Sequence, residues 1–395
     1  MLGIMPDGPD PDLTLRLHPA IAEIPALEWD ECAGPDNPFT SHAFLSALEE
    51  SGSASPRTGW LPQHAALRDA EGRLVAVAPA YAKSHSYGEY VFDHAWADAL
   101  ERAGGRYYPK LQVAVPFSPV PGGRLLVRPG SGIAVAGLGQ ALAQVAEQLD
   151  LSSAHVTFCT EEEWRSLGET GWLQRVGTQY HWRNDSYGSF EDFLGALSSR
   201  KRKQLRRERR DAQSAGLIFR TLRGTEITTR HWEAFHRFYM DTVDRKWGSA
   251  YLTERFWPLL AERLGERVVL MVAERDGEPV AGALNLLGRN ALFGRNWGTV
   301  TDAPFLHFEL CYYQAIDFAI AHGLQRVEAG AQGQHKIQRG YLPVPTYSAH
   351  WIRHRGLRRA VAGFLEEERA AMRAEMARLA EVSPFREEER APAKN

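Results

Sequence analysis

Apolar and polar positions along the chain follow two periods, and the order of the segments that they define repeats once. Residues 40–52 (TSHAFLSALEESG) have the helical spacing of apolar side chains between a polar cap and a Gly, and residues 66–81 alternate like two strands around a tight turn. In the second half, residues 253–265 predict another capped helix, and residues 268–287 predict a strand, an Asp-Gly turn and a second strand. The same pair of elements therefore occurs twice.

The repeat extends beyond these pairs. Residues 141–159 and 315–332 each predict an amphipathic helix, a short break and an apolar strand. We interpret the chain as two copies of one α/β unit, over residues 13–184 and 185–352. The first copy carries an insertion at about residues 83–130 that is rich in Tyr, Gly and Pro and is typical of substrate-shaping loops.

The two ends of the chain differ from the repeated part. Residues 1–12 predict a flexible leader, and residues 383–395 predict a disordered polar tail. Residues 353–382 predict a C-terminal helix that docks on the fold or contacts a second copy of the protein. Its apolar positions recur at helical intervals, at Leu357, Val361, Phe364, Leu365, Met372 and Leu379.

Length and composition indicate two domains of ordinary size, because 395 residues with 44% hydrophobic content exceed one compact core. Cys32, Cys159 and Cys311 lie far apart without CxxC spacing, so we expect no metal site and a reducing compartment. Neither a secretory signal nor a stretch of membrane-spanning length is found. The sequence therefore predicts a cytoplasmic protein without a transmembrane segment.

Positive charge is concentrated in one run, residues 200–210 (RKRKQLRRERR). Its eight basic side chains and one acid give +7, which leaves −10 for the rest of a chain whose net charge is −3. The run follows Ser198 and Ser199, which can cap a helix, and neither Gly nor Pro occurs before Gly216. We therefore predict a basic helix of about four turns.

On the basic helix, Leu205 and Ala212 are predicted to face the core. Basic side chains three or four residues apart form rows that repel one another unless something anionic meets them. Two interpretations stay open: a solvated face that pairs with acidic side chains, and a site for phosphates or nucleic acid. The rows are Arg202, Arg206 and Arg209, and Lys203, Arg207 and Arg210.

Six blocks of sequence together are quite specific. They are NPFTSHAFL (37–45), YYPKLQVAVPFSP (107–119), FLGALSSRKRKQLRRER (193–209), DRKWG (244–248), GRNWG (294–298) and EAGAQGQHKIQRGYLP (328–343). With these blocks the chain resembles the Fem-like predicted N-acyltransferases, a branch of the GNAT superfamily related to the Fem-type peptidyltransferases of peptidoglycan precursors. The resemblance implies an α/β fold with a tandem pair of GNAT-like domains, mixed sheets flanked by helices, and acyl transfer to an amine.

Two departures from the family's pattern affect the predicted chemistry. The family's last block usually has an acid where this chain has Gln334, so a base at that position would be missing. Acetyl-CoA users of the superfamily carry a glycine-rich pyrophosphate loop that residues 298–305 (GTVTDAPF) lack. The helix predicted from about Leu306 could still receive an anion at its free N–H groups. We expect acyl-CoA as co-substrate and no bound cofactor.

Acyl transfer to an amine needs a base whose pKa lies near the working pH. Glu328, at the end of a predicted strand, and His335, in a glycine-containing turn, are the two candidate catalytic residues. Glu328 could instead simply pair with Arg326 or Arg339. His335 is expected to have a lowered pKa because of its basic neighbours. Glu309 near a helix start has a sufficient explanation in the helix dipole.

Cationic and aromatic residues supply the candidate binding groups. Charged groups beside glycines or aromatic rings suit a phosphate-bearing donor. The two tryptophans of the pocket set are as readily core residues as ligand platforms. The donor-binding or phosphate-binding set is Arg202, Lys203, Arg206, Arg245, Lys246, Arg295, Lys336 and Arg339. The substrate-pocket set is Trp247, Asn296, Trp297, His307, Gln332 and Tyr341.

Three functional hypotheses follow. The first is an N-acyltransferase that moves an acyl group from acyl-CoA to a small-molecule or peptide amine by direct attack. The second is a tRNA-dependent aminoacyl or peptidyl transferase that acts on a cell-wall precursor or another amine and binds tRNA through the basic helix. The third is a non-catalytic binding protein of the same fold, suggested by Gln334. The sequence does not define the oligomeric state.

Overall fold

A computed structural model describes residues 13–245, 248–330 and 333–386, without the side chain of Gln334. The predicted leader, residues 1–12, lies outside the described residues. The chain divides into two compact units. The first unit is Met1–Gly177, Tyr251–Phe256 and Pro345–Arg373, and the second is Thr178–Ala250, Trp257–Val344 and Ala374–Asn395.

Strands and helices alternate through most of the described chain. The strands are β1 (Thr14–His18), β2 (Trp60–Pro62), β3 (His64–Arg68), β4 (Leu74–Ala78), β5 (Ala80–Lys83), β6 (Lys110–Val113), β7 (Leu126–Val127), β8 (Ser153–Cys159), β9 (Leu173–Arg183), β10 (Ile218–Arg223), β11 (Val268–Arg275), β12 (Glu278–Leu287), β13 (Ala291–Thr299), β14 (Arg326–Glu328) and β15 (Leu342–Ile352). The α-helices are α1 (Ala26–Ala33), α2 (His42–Glu50), α3 (His94–Arg102), α4 (Val135–Gln148), α5 (Glu161–Glu169), α6 (Phe190–Ala196), α7 (Ser199–Gln213), α8 (Thr229–Arg245), α9 (Phe256–Leu264), α10 (Leu306–Phe308), α11 (Gln314–Ala321) and α12 (Arg355–Glu381). Glu309–Tyr313 is π-helical, and Gln334–Arg339 is a 3-10 helix.

The first unit contains two sets of strands. β1, β3, β4 and β7 form an antiparallel four-stranded sheet in the order β1-β3-β4-β7. The second set runs in the order β15-β8-β6-β5-β2, in which β6 and β8 are parallel and the other pairs antiparallel. Leu142 and Val145 of α4 are buried in one apolar core with Val156 of β8. This packing buries the apolar face that the sequence predicts for α4.

The second unit is built on strands in the order β10-β11-β12-β13-β14-β9. Only β13 and β14 are parallel in this set, and the remaining pairs are antiparallel. The predicted Asp-Gly turn joins β11 to β12, where Asp276 and Gly277 have φ angles of 51° and 78°. Left-handed φ at both positions suits the tight turns of twisted hairpins, and Asp-Gly is a favoured pair for them.

The basic helix is α7, and its inner side agrees with the prediction. Leu205 and Ala212 are buried, as the apolar spacing requires. Ser198 stands at the N-cap position but makes no side-chain cap hydrogen bond. In the preceding helix, α6, the predicted cap is present, because the Ser189 side chain accepts a hydrogen bond from the N–H of Asp192, 3.1 Å away.

The C-terminal part is more ordered than the sequence predicts. Leu357 and Leu365 of α12 are buried, which supports the docking interpretation, but Phe364 is 49% exposed although its spacing placed it on the apolar face. After α12, Phe385 forms a β-bridge with Leu197 and packs against the core of the second unit. The tail therefore begins later than residue 383, and residues 387–395 lie outside the described chain. Among the described residues, none of the helices has the length and apolarity needed to cross a membrane.

Candidate active site

The sheet of the second unit opens between two parallel strands. β13 pairs with β14 for three residues only, the last pair being Phe293 and Glu328. β13 then continues to Thr299 beside β12, whereas the chain after β14 turns away at Gly330, where φ is 79°. Carboxyl ends of parallel strands that separate in this way are common positions for ligands. We therefore place the candidate site at this opening.

One wall of the opening is a β-bulge on β13. The register between β12 and β13 shifts from the pair Ala283–Trp297 to the pair Asn285–Gly294. Arg295 and Asn296 occupy the extra positions, and both are partly exposed. Bulges of this kind change the direction of side chains and are frequent beside active sites. Both residues were predicted as binding groups.

The opposite wall is a helix whose hydrogen-bond pattern changes. The predicted start at Leu306 is correct, but α-helical geometry lasts for three residues before the π-helical stretch Glu309–Tyr313. π-Helical turns occur often at functional sites. The N–H groups of Leu306 and Glu309 already donate to the carbonyls of Ala303 and Phe305. The expectation of free N–H groups for an anion is therefore wrong at these two residues.

Rings from three elements meet at the opening. The Trp297 ring of β13 lies 5.1 Å from the His307 ring of α10, and the His307 ring lies 6.1 Å from that of His335. Phe308 contacts His335 at 5.8 Å between ring centroids, and Tyr312 contacts His307 at 5.3 Å. Trp297, His307 and His335, which the sequence nominated separately, thus form one cluster with Phe308 and Tyr312.

His335 and Tyr312 share a hydrogen bond, with 3.0 Å between the imidazole Nε2 and the phenol oxygen. Partial burial of His335, followed by the charges of Arg339 and Lys336, lowers its pKa below the usual value, so the predicted direction is confirmed. The imidazole is therefore neutral at neutral pH. When Nε2 carries the proton and donates to Tyr312, Nδ1 presents a lone pair that can accept a proton.

Glu328, the other predicted catalytic residue, is buried at the end of β14. Its Oε1 accepts a hydrogen bond from Nε of Arg326 at 2.8 Å, and its Oε2 lies 3.7 Å from Nε2 of His181. Burial and nearby cations lower the pKa of His181 to about 3, so this imidazole is neutral. Pairing with Arg326 is one of the two alternatives predicted for Glu328.

Lys336 and Arg339 are nearly buried and bind other protein groups. The Lys336 ammonium donates to the carbonyls of Ala329 and Gly330 at 2.6 and 3.2 Å, and burial lowers its pKa to about 8. Arg339 donates to the Glu208 carboxylate at 2.8 Å and lies 3.3 Å above the Phe308 ring. Both residues fix the turn that carries His335, and their contacts with protein compete with the predicted donor binding.

The basic helix uses part of its charge for internal pairing. Arg206 pairs with Glu191, and Arg209 pairs with Asp317 and, at 3.4 Å, with Glu309. Glu309 is buried and accepts hydrogen bonds from side chains, so the helix dipole alone does not account for it. A further set has no carboxylate partner within the described parts of the chain. These residues are Arg200, Lys201, Arg202, Lys203 and Arg207.

The remaining nominated residues have different locations. Arg245, at the end of α8, pairs with Asp241 at 2.8 Å and approaches the carbonyl of Thr299 at 3.5 Å. Tyr341 is fully buried, and its hydroxyl donates to the carbonyl of Tyr312 at 3.3 Å, so it supports the site from the core. Three nominated residues lie outside the described chain: Lys246, Trp247 and Gln332.

Sequence reasoning missed Tyr312 and Glu208. Tyr312 lies five residues after His307, a separation that α-helical spacing puts on different faces, and the π-helical stretch brings their rings together. Glu208 was counted only as the single acid of the basic run. A helical wheel could have found it, because Glu208 lies three and four residues from the inward-facing Leu205 and Ala212.

A family match and one solved structure agree with this architecture. A family model described as FemAB-like, peptidoglycan biosynthesis/recognition, matches residues 20–387. The crystal structure of FemX aligns with a TM-score of 0.55 and 11% identity, over 86% of this chain and 98% of that chain, which shows a shared fold. L-PGS from Bacillus licheniformis aligns with a TM-score of 0.49 and 12% identity, over 81% of this chain and 95% of that chain. A tandem GNAT protein from the clavulanic acid biosynthesis pathway aligns with a TM-score of 0.45 and 12% identity, over 87% of this chain and 98% of that chain. No curated protein sequence matches significantly.

Proposed function

The chain belongs to the FemAB-like family and is an acyl or aminoacyl transferase, as the sequence resemblance predicted, and from this premise we propose that it transfers an acyl group from acyl-CoA to an amine by direct attack. The acyl carbonyl occupies the opening between β13 and β14. His335 is the base, and the Trp297 and His307 rings form the wall against the acyl chain. The third hypothesis, a non-catalytic binding protein, is set aside because the chain is a transferase.

The observation that carries this proposal is the hydrogen bond between His335 and Tyr312 in a turn fixed by buried residues. A neutral imidazole accepts a proton from the attacking amine as the carbon–nitrogen bond forms. The carbon–sulfur bond then breaks, the thiolate of CoA leaves, and it takes up a proton. Tyr312 supports the tautomer of His335 that leaves Nδ1 free. Glu328 is less suited to the role because Arg326 already binds its carboxylate.

The test is a thiol-release assay with acetyl-CoA and longer acyl-CoAs over a panel of amines. We expect His335→Gln to lower kcat/KM by about 10²–10⁴-fold, the usual contribution of a general base. Because the pKa of His335 is lowered, the acid limb of kcat/KM that belongs to this imidazole should lie below about pH 6.5, separate from the titration of the acceptor amine. This acid limb should disappear in His335→Gln.

Two variants serve as controls for the base assignment. Tyr312→Phe keeps the ring but removes the hydroxyl, so it should reduce kcat/KM and shift the acid limb while leaving the fold intact. His231→Gln changes an imidazole of α8 away from the ring cluster and should leave the rate unchanged. Full activity with an unchanged acid limb in His335→Gln would show that another group is the base.

A second candidate donor, an aminoacyl-tRNA, is supported by the unpaired cations of α7. Arg200, Lys203 and Arg207 follow one another at helical spacing and have no carboxylate partner among the described residues. In the same assay, turnover with aminoacyl-tRNA alone, falling steeply between 50 and 200 mM salt, would favour this donor over acyl-CoA. Replacement of Lys203 and Arg207 by Ala would then reduce the salt dependence.

A further inference from the structure

In one loop of the first unit, the charged side chains are buried and the aromatic side chains are exposed. In residues 84–93, between β5 and α3, the two charged side chains, Glu89 and Asp93, are buried. The aromatic side chains face outward, with Tyr87 63% exposed and Phe92 62% exposed. Charged residues are seldom fully buried, and a contiguous exposed aromatic surface marks a site of interaction. We call residues 84–93 the aromatic loop. Its exposed rings indicate an interaction surface, and its buried acids hold the backbone beneath them.

The buried side of the aromatic loop supplies hydrogen-bond partners to two lysines. Lys83 and Lys110 lie opposite each other on β5 and β6, and both are buried. The Lys110 ammonium donates to Glu89 at 2.7 Å and to Asp93 at 2.5 Å, and the Lys83 ammonium donates to the carbonyl of Tyr87 at 3.2 Å. Like charges opposite each other repel, so the acidic side chains of Glu89 and Asp93 are required as partners of the Lys110 ammonium. The loop cannot detach without leaving charges unpaired.

Further contacts fix the aromatic loop along its length. The hydroxyl groups of Ser86 and Tyr108 are hydrogen-bonded at 2.8 Å, and the guanidinium of Arg175 donates to the carbonyl of Phe92 at 2.8 Å. Tyr90 has a left-handed φ of 60°, a strained conformation that persists only when its surroundings impose it. The exposed rings are thus held by an ordered backbone, and a partner that binds them loses little conformational entropy.

Three rings of the loop, His85, Tyr87 and Phe92, form a continuous surface with the ring of His94, the first residue of α3. We call this surface the four-ring platform. The centroid of Tyr87 lies 5.1 Å from that of His85 and 6.0 Å from that of His94, and Phe92 lies 6.3 Å from His94. Burial and the nearby Lys83 lower the pKa of His85, so this imidazole is neutral at neutral pH. Both acids of the loop are buried, so no carboxylate of the loop lies on the platform.

We propose that the four-ring platform binds the sugar rings of a neutral carbohydrate. Pyranose rings present C–H bonds on their faces, which pack on aromatic rings, and their width matches the spacing of neighbouring rings in the platform. The His94 imidazole and the Tyr87 hydroxyl supply hydrogen-bonding groups for sugar hydroxyls, whereas Nδ1 of His85 already accepts from the N–H of Tyr87. The platform contains no lysine or arginine, so it offers no fixed positive charge to the phosphates of nucleic acid or of anionic lipid. The site is independent of the proposed acyl transfer and is measured without an acyl donor.

The experiment is calorimetric titration of the whole protein with two neutral probes, the β-1,4-linked tetramer of N-acetylglucosamine and maltotetraose. We expect saturable binding of at least one probe and a Kd raised at least tenfold by Tyr87→Ala and by Phe92→Ala. Both side chains are exposed, so neither change should lower the melting temperature. The matched control is Leu27→Ala on α1, an apolar side chain 82% exposed away from the platform, which should leave the Kd unchanged.

Two results would overturn the carbohydrate proposal. One is the lack of saturable heat with both probes, or binding that survives both substitutions. The other is platform-dependent cosedimentation with phosphatidylcholine vesicles in place of sugar binding, which would assign the platform to a lipid surface. Neither result would bear on acyl transfer, because the assay with His335→Gln uses a different unit and a different readout.

Discussion

Glu208 shows how one side chain can have a role opposite to the one its neighbours suggest. It is the single acid of the basic run, yet it is buried and accepts hydrogen bonds from Arg339 at 2.8 Å and from Tyr313 at 2.5 Å. Through Arg339 it holds the 3-10 helix that carries His335. A carboxylate and a guanidinium removed from water depend on each other, since either one alone would be a buried unpaired charge.

We expect Glu208→Gln to destabilise the protein by about 3–5 kcal/mol, because it leaves Arg339 buried without its counter-charge. The matched control is Glu191→Gln on α6. It breaks the exposed pair with Arg206, which like Glu208 lies on α7, and should leave stability unchanged within error. Urea unfolding followed by tryptophan fluorescence measures both. Equal losses in the two variants would contradict the assignment of a buried structural pair.

The role of a residue was predictable from sequence where it depends on that side chain and its neighbours in the chain. His335 was nominated from its neighbours, and the direction of its pKa shift follows from Lys336 and Arg339, which are close in sequence. Pairings between distant positions, such as Glu208 with Arg339, have no local signal. The roles of Lys336 and Arg339 depended on those pairings, which only the folded chain defines.

At the scale of elements, β13 links the site to the helix behind it. Its residue Gly298 lies against α8 so closely that a Cβ atom added there would be 2.2 Å from the carbonyl oxygen of Phe238. The obstacle is backbone, which cannot move aside as a flexible side chain can. Gly298 therefore sets the distance between α8 and the strand that carries Trp297.

We predict that Gly298→Ala destabilises the second unit by about 1–3 kcal/mol, the usual range for overpacking, and also lowers acyl-transfer activity. Gly363→Ala on α12 is the control, because no described residue lies within 4 Å of its added Cβ. There the substitution should stabilise by about 0.5–1 kcal/mol through helix propensity. Thermal unfolding compares the two variants, and a neutral Gly298→Ala would contradict the close approach of α8.

Elements with a regular period were predictable from sequence, because burial of one face imposes the period directly. The inward positions Leu205 and Ala212 of α7 are an example. The π-helical stretch Glu309–Tyr313 has no such signal, since its apolar residues also fit an α-helix. Phe364 was wrongly predicted for the opposite reason: its spacing fits the apolar stripe, but the described elements leave about half of it exposed.

At the scale of the whole molecule, buried imidazoles make stability depend on pH. Burial lowers the pKa of His155 to about 3 and that of His350 well below its usual value, and the two rings are hydrogen-bonded through their Nδ1 atoms at 2.8 Å. His181 also has a pKa of about 3. Acting in the opposite direction, burial raises the pKa of Glu89 to about 7.

We expect the free energy of unfolding to fall as pH decreases from 6.5 to 5. The unfolded chain protonates all three histidines near pH 6.5. The folded chain keeps His155 and His181 neutral to about pH 3 and lowers the pKa of His350 as well, so their contribution is lost on acidification. Glu89, protonated in the fold, offsets about one proton in this window. Unfolding therefore takes up about two protons in this window, so the free energy of unfolding should fall by roughly 2–3 kcal/mol per pH unit.

Urea titrations at pH 5, 5.5, 6 and 7 measure this dependence. His155→Gln should reduce the slope by about one proton, whereas His231→Gln should reduce it much less because that imidazole is partly exposed. A free energy of unfolding that is constant or rises between pH 6.5 and 5 would show that the buried imidazoles are charged in the fold.

The order of segments in the whole molecule was only partly predictable. The sequence indicates two successive copies with a boundary at residue 184, but in the structure Pro345–Arg373 and Tyr251–Phe256 belong to the first unit. Local periodicity cannot reveal this exchange, because it depends on the pairing of β15 with β8, nearly 200 residues apart. Non-local pairing of this kind is defined by tertiary packing and not by propensity.

The two lysines that face each other on β5 and β6 have a consequence for how the sequence can change. Lys83 and Lys110 are tolerated only with Glu89 and Asp93, so replacing one of the four leaves a buried polar or charged group without its partner. Simultaneous replacement by apolar residues of similar volume would remove the problem altogether. Among descendants of this sequence, positions 83, 89, 93 and 110 should therefore mutate as one group or remain as they are.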